Sequence, residues 1–406
     1  MRKYKVALLE YSPSWHHPEL YKQLASHRNL DLMVYFCSRS ALNGQLLSEA
    51  FDAKGMSWGE NLLQGYDFKF LKNYPLGQPK IHKTRLFTYF NPEIWSEIRK
   101  GKYDAIVVSM WNDITPWLAV VSAKLSREKV LFIGDSTVLT EAGKPLWLRL
   151  IKKVILGKLL FPMGSGFLFR DEVNRQFFQQ YGVPDERLFF YPYSVDYELY
   201  HAQYQILKNE KESIRQELGL GKDALVVLFV GRLCKEKRPL DLIKAFEKIN
   251  IKDKTLIFVG GGVLADELNN YVDEKRIHTV RFTGFKPRAE ILRFYLSADI
   301  FVLPSGLEPH GLVVNEAMCF GLPIIVSDQV GAAGDLVKHG ENGFVYDCGD
   351  ISQLAGCLEE LADKATRDRY GQKSLELVKS WDHKEAVSGL VNALGQLCNG
   401  DIQYIN

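Results

Sequence analysis

Glu308 and Glu316 stand eight residues apart in Ser305-Gly306-Leu307-Glu308-Pro309-His310-Gly311-Leu312-Val313-Val314-Asn315-Glu316. An apolar run, Ile300-Phe301-Val302-Leu303, precedes them, and the residues between them read as a turn that opens a helix. One carboxylate before such a turn and another one turn into the helix can face a single small volume. Between them lie the free backbone N–H groups of the helix start, which suit an anion. Carboxylates that accept from hydroxyls, next to a phosphate seat, describe a place for a sugar nucleotide.

Three other segments carry groups of the same kind. Gly231-Arg232-Leu233-Cys234-Lys235-Glu236-Lys237-Arg238-Pro239 follows a buried-strand pattern, and its cations can meet a diphosphate, Arg by its fork and Lys as a point charge. A solvated strand-to-helix loop is the plain alternative. Gly260-Gly261-Gly262 also follows a strand, but without G-x-G-x-x-G spacing; such glycines often only permit close packing. Gly284-Phe285-Lys286 forms a turn whose backbone can meet the edge of a nucleobase. Each segment lies just past a strand end in the same half of the chain.

The elements that must position these groups alternate strand and helix throughout, the pattern of parallel sheets covered on both faces. Expected strands are Val6–Leu9, Leu32–Phe36, Ala105–Ser109, Val130–Ile133 and Gly166–Phe169, then Leu225–Val230, Thr255–Val259, Thr279–Phe282, Ile300–Leu303, Pro323–Val326 and Gly343–Tyr346. Helices are expected at Pro18–His27, Pro239–Ile249, Leu264–Asp273, Arg288–Leu296, Val313–Phe320 and Ile351–Ala362. A polar, helix-prone stretch from Tyr197 to Lys222 separates the two series, and the segment from Ala365 to Leu397 reads as helices with no following strand. The fold class is α/β, two successive doubly wound domains with a ligand at the C-terminal ends of the strands. Their boundaries are 1–196, 197–380 and a helical tail over 381–406.

Composition narrows the function. The 406 residues suffice for two or three domains, and a net charge of +2 gives no sign of nucleic-acid binding. Residues 1–200 hold 26 Lys and Arg against 20 Asp and Glu, which favours an anionic acceptor or membrane surface if it is not chance scatter. The six cysteines form no C-x-x-C pair and no His cluster has metal-ligand spacing, so reduced thiols, a cytoplasmic location and no metal are expected. The opening residues run straight into a strand pattern and do not read as a signal peptide. Leu146 to Phe161 is apolar but carries Arg149, Lys152, Lys153 and Lys158. A helix of this kind lies on an anionic membrane surface or packs on the protein's own core.

Most of Leu225–Leu361 resembles the family 4 glycosyltransferases, retaining enzymes of the GT-B architecture, through Glu308-x7-Glu316 and the upstream Gly231-Arg232 and Lys237. The resemblance implies two Rossmann-like domains facing a central cleft, with C-terminal helices crossing back to the first domain. It implies that Glu308 hydrogen-bonds hydroxyls of the donor sugar and Glu316 holds the ribose. Arg232 and Lys237, beside Gly231, would bind the diphosphate, the backbone of His310, Gly311, Leu312 and Val313 would reach sugar and phosphates, and Gly284, Phe285 and Lys286 would meet the base. No cofactor is implied beyond the nucleotide-sugar co-substrate, and no metal.

The first half departs from the family's pattern. Glu10-Tyr11-Ser12-Pro13-Ser14-Trp15-His16-His17 replaces a Gly-Gly loop, so Trp15 and His16 are expected on the acceptor side, with Trp111 and Asp113. Asp135 stands where the family has a histidine; it takes over a hydroxyl contact, orients the acceptor, or simply caps a helix. The expected reaction moves a sugar from a UDP- or GDP-sugar to an acceptor hydroxyl of a cell-surface glycan or glycolipid, with the enzyme in the cytoplasm or peripheral at the inner membrane face. The alternatives are a nucleotide-sugar 2-epimerase and a non-catalytic sugar-nucleotide-binding protein.

Overall fold

The computed structural model describes residues 2–14, 17–43, 62–74 and 89–399. They divide into two compact units, residues 2–193 with 383–399, and residues 194–382.

The first unit is built on a seven-stranded sheet: β1 (Tyr4–Glu10), β2 (Leu30–Phe36), β3 (Asp67–Phe70), β4 (Ala105–Ser109), β5 (Lys129–Ile133), β6 (Gly166–Phe169) and β7 (Leu188–Phe190). Their order is β3-β2-β1-β4-β5-β6-β7, and every neighbouring pair is parallel. Five of the seven were legible as apolar runs. The two edge strands were not, because β3 reads Asp-Phe-Lys-Phe and is half solvent-facing, and β7 has only three residues. Edge strands lack the two-sided burial that writes a continuous apolar run into a sequence.

The second unit holds β8 (Leu225–Val230), β9 (Lys254–Val259), β10 (Val280–Phe282), β11 (Ile300–Leu303), β12 (Ile324–Ser327) and β13 (Gly343–Tyr346), all parallel in the order β10-β9-β8-β11-β12-β13. These are the six expected runs. Every side chain of β8 is buried, as a central strand with helices on both faces requires. Each unit is therefore doubly wound, the fold class expected. Each sheet reverses its strand order once, between β1 and β4 and between β8 and β11, and a crevice opens at such a reversal beyond the strands' carboxyl ends.

Two helices, Tyr197–Leu207 and Lys211–Glu217, occupy the polar stretch that precedes β8. Arg215 fastens the second of them by donating to the Ser297 carbonyl at 2.9 Å and pairing with Asp299 at the start of β11. At the other end, the helix Lys364–Val378 belongs to the second unit and the helix His383–Asn399 to the first. The latter buries Ala386, Leu390, Ala393 and Leu394 in the cluster that also holds Val6, Leu8 and Phe189. Its Gly389 is needed there, since a Cβ at that position would sit 2.0 Å from the Phe190 carbonyl oxygen.

Candidate functional site

In the second unit the chain leaving β8 and the chain leaving β11 flank the reversal of strand order. From Val230 the backbone passes through Gly231 and Arg232 into a 3-10 turn, Lys235–Lys237. From Leu303 it passes to Glu308. Lys237 and Glu308 form an ion pair, each side chain only 14% exposed. The Gly306 N–H donates to the Glu236 carbonyl at 2.7 Å and holds the two loops together. Burial, and then the nearby Arg232, lower the Lys237 ammonium to about 8, with Cys234 and Glu236 opposing the shift. The Lys237–Glu308 pair can exchange partners with a ligand, the ammonium going to a phosphate and the carboxylate to a hydroxyl.

Backbone contacts fix the Glu308 loop closely. Glu308 N–H donates to Gln329 O, Gly331 N–H to Glu308 O and Ala332 N–H to His310 O, each at 3.0 Å. Gly311, at φ +99°, caps the helix Leu312–Cys319 with no side-chain acceptor, so Gly311, Leu312 and Val313 present its N-terminal turn. His310 itself is buried, with Nε2 3.1 Å from Asn315 Oδ1 and its ring stacked on Trp381. The glycine run after β9 has a packing task. A Cβ on Gly260 would lie 1.9 Å from the Gly231 carbonyl oxygen, and one on Gly262 would lie 2.5 Å from that of Leu233. Gly260 N–H also donates to Gly284 O at 2.9 Å, which sets the Gly284-Phe285-Lys286 turn beside it. Lys286 there pairs with Glu290 at 3.4 Å.

Glu316 lies deeper than its partner in the motif, at 6% exposure. Tyr200 donates to its Oε1 at 2.6 Å and Tyr295 to its Oε2 at 2.8 Å, and Arg288 Nε donates in turn to the Tyr200 oxygen at 3.0 Å. Burial raises its carboxyl above the ordinary value; the Tyr200 hydrogen bond, Arg288 and Tyr295 oppose that rise. A carboxylate has about four acceptor positions, so two tyrosines orient it and leave room for further donors. The sequence motif carries no trace of Tyr200, Arg288 or Tyr295, which come from two other helices.

The first unit gathers polar groups at its own reversal. Glu10, the last residue of β1, accepts from Tyr21 OH at 2.8 Å and from Ser109 OH, at the end of β4, at 2.8 Å. Beyond β6, the buried Arg170 packs its guanidinium against the ring of Tyr193 at 4.4 Å, with Nε 3.9 Å from Asp135 Oδ1. Tyr193 OH donates to Asp135, which stays well exposed at this edge. None of Glu10, Arg170 and Tyr193 was expected as a site residue; their one signal is position at or just past a strand end. Trp111 and Asp113, expected on the acceptor side, are both buried. Trp111 stacks on Phe177 at 5.9 Å among Phe132, Phe161 and Phe178, and the buried Asp113 accepts from the Tyr89 N–H at 3.0 Å. Trp15 and His16 lie outside the described residues.

The second unit is similar to known proteins. Residues 210–376 match the family model of glycosyl transferases, group 1. Among curated relatives, an uncharacterised glycosyltransferase of Methanocaldococcus jannaschii is 35% identical over 187 residues, 44% of this chain and 48% of that protein. Sulfoquinovosyl transferase of Arabidopsis thaliana is 25% identical over 337 residues, 77% of this chain and 61% of that protein. The chain thus spans about half the length of the first of these relatives. Among solved structures, Anabaena HepE in complex with UDP-glucose superposes with a TM-score of 0.70 at 20% identity, covering 97% of this chain and all of that one. Sucrose-phosphate synthase of Thermosynechococcus elongatus gives 0.68 at 18% identity, over 98% of this chain and 100% of its own. The fold is the GT-B fold of these glycosyltransferases.

Proposed function

We propose that this protein is a retaining, metal-independent glycosyltransferase that moves a sugar from a UDP- or GDP-sugar to an acceptor hydroxyl of a glycan or lipid-linked substrate at the cytoplasmic side of a cell. The ion pair of Lys237 and Glu308 across the β8–β11 reversal carries this reading. It supplies a cation for a diphosphate beside a carboxylate for sugar hydroxyls. The solved neighbour that holds UDP-glucose favours a UDP-sugar over a GDP-sugar.

In this reading Lys237 and Arg232 receive the charge that develops as the nucleoside diphosphate leaves. The N-terminal turn at Gly311, Leu312 and Val313, with the His310 backbone, adds oriented N–H groups to the same task. Glu308 positions the sugar through its hydroxyls, Glu316 accepts from the ribose, and the Gly284-Phe285-Lys286 turn meets the base. Asp135, exposed and fixed by Tyr193, receives the acceptor hydroxyl. The two glutamates position substrate; they are not an acid–base couple.

The test separates binding from turnover. In Glu308→Ala, UDP affinity stays within about threefold while transfer falls by about a hundredfold or more. In Glu316→Ala, UDP affinity itself falls. Full transfer in both variants would sink the site assignment. Donor incubated without acceptor should give no 2-epimer, and transfer should survive EDTA.

A further inference from the structure

We propose that the helical segment Leu146–Leu160, between β5 and β6, is a docking face for an anionic lipid bilayer surface. The segment is an α-helix, Leu146–Lys152, that continues directly into a π-helical run, Lys153–Leu160. It carries a second apolar face beyond the one a helix needs to cover its own core. Leu146, Trp147, Leu150, Ile151, Val154 and Leu159 point outward, each between 47% and 69% exposed. The side that meets the protein is narrower: Leu156 and Leu160 are buried in the first unit's core, and polar and small groups complete the contact. Lys152 donates to the buried Glu141 at 2.8 Å, and a Cβ on Gly157 would lie 2.8 Å from the Tyr181 carbonyl oxygen. Packing on the protein's own core accounts for Leu156 and Leu160 and not for the exposed apolar side chains.

Charge identifies what covers them. No Asp or Glu occurs from 142 to 170, and Lys153 and Lys158 are exposed beside the apolar face, with Arg149 half-buried. Apolar side chains rimmed by cations match lipid tails below anionic headgroups. A second copy of this chain fits less well, because a symmetric contact would oppose like charges. No helix among the described residues is long and apolar enough to cross a membrane, so the segment lies on the surface. Docking here deepens the proposed reaction, since it would hold a lipid-linked acceptor near the sheet edge that carries Asp135.

Sedimentation of the full chain with vesicles tests this without any donor, so it can fail independently of the transferase reading. Phosphatidylglycerol-containing vesicles should bind the protein and pure phosphatidylcholine vesicles should bind it far less. Leu150→Glu with Val154→Glu should weaken binding by about tenfold or more, with UDP affinity unchanged as the check on folding. Lys153→Gln and Lys158→Gln should each cost about fivefold on anionic vesicles only. Equal binding to both vesicle types, or binding to neither, overturns the proposal. So does a dimer in solution that Leu150→Glu splits, which would assign the face to a second copy.

Discussion

Tyr200 donates a hydrogen bond of 2.6 Å to Glu316 from a helix 116 positions earlier in the chain. The carboxylate is fixed by groups the motif does not contain. Tyr200→Phe removes that donor and leaves a buried carboxylate oxygen short of a partner, at a cost of about 1–3 kcal/mol. The loss also lets burial raise the Glu316 carboxyl further. Nucleotide binding that needs the ionised form should then weaken at a higher pH than in the wild type as pH falls. UDP titrations from acid to neutral pH in both proteins check it, and an unchanged acid limb would count against the ribose role.

Lys237 supplies a pH dependence of opposite sign. Its ammonium, lowered to about 8, loses its proton as pH rises through that value, and an uncharged amine no longer attracts a diphosphate. UDP affinity should therefore fall on the alkaline side with a midpoint at about pH 8. Glu308→Gln removes the facing negative charge, so the midpoint should move to lower pH. Calorimetric titration of UDP across that range decides both points.

Gly331 sets the height of the Glu308 loop. A Cβ there would lie 1.9 Å from the Pro309 carbonyl oxygen, so Gly331→Ala must displace backbone rather than a side chain. A shift of about 1 Å at Glu308 should lower turnover by about a hundredfold. Steady-state kinetics on folded variant protein check this, and near-normal turnover would mean that the loop does not position the donor sugar.

Glu141 is a stability prediction in the first unit. Its side chain is 1% exposed and accepts from Lys144 at 2.6 Å, Lys152 at 2.8 Å and Tyr181 OH at 2.9 Å. Burial pushes the carboxyl up, but the two lysines outweigh it and the net value lies below the ordinary one. Stability from a carboxyl lowered on folding is present above its unfolded value, about 4.3, and is lost as pH falls through the folded value. Glu141→Ala removes the buried acceptor of three donors and should cost about 1.5–3 kcal/mol at neutral pH. Urea unfolding of wild type and variant at neutral and acid pH should show the difference shrinking as pH falls.

The sequence by itself determined the central strands, because side chains buried on both faces must form unbroken apolar runs such as Leu225–Val230. It also determined the short-range part of the site. Glu308, the Gly311 turn and Glu316 lie within one loop and one helix, so their spacing alone sets them near each other. Tertiary structure decided whatever depends on strand order. The β8–β11 reversal brings Lys237 to Glu308, and the β1–β4 reversal brings Glu10 to Ser109, across separations that no local period encodes. It also decided direction. Trp111 turned into the core and the apolar face of Leu146–Leu160 turned outward, because periodicity records that a face is apolar and not what covers it.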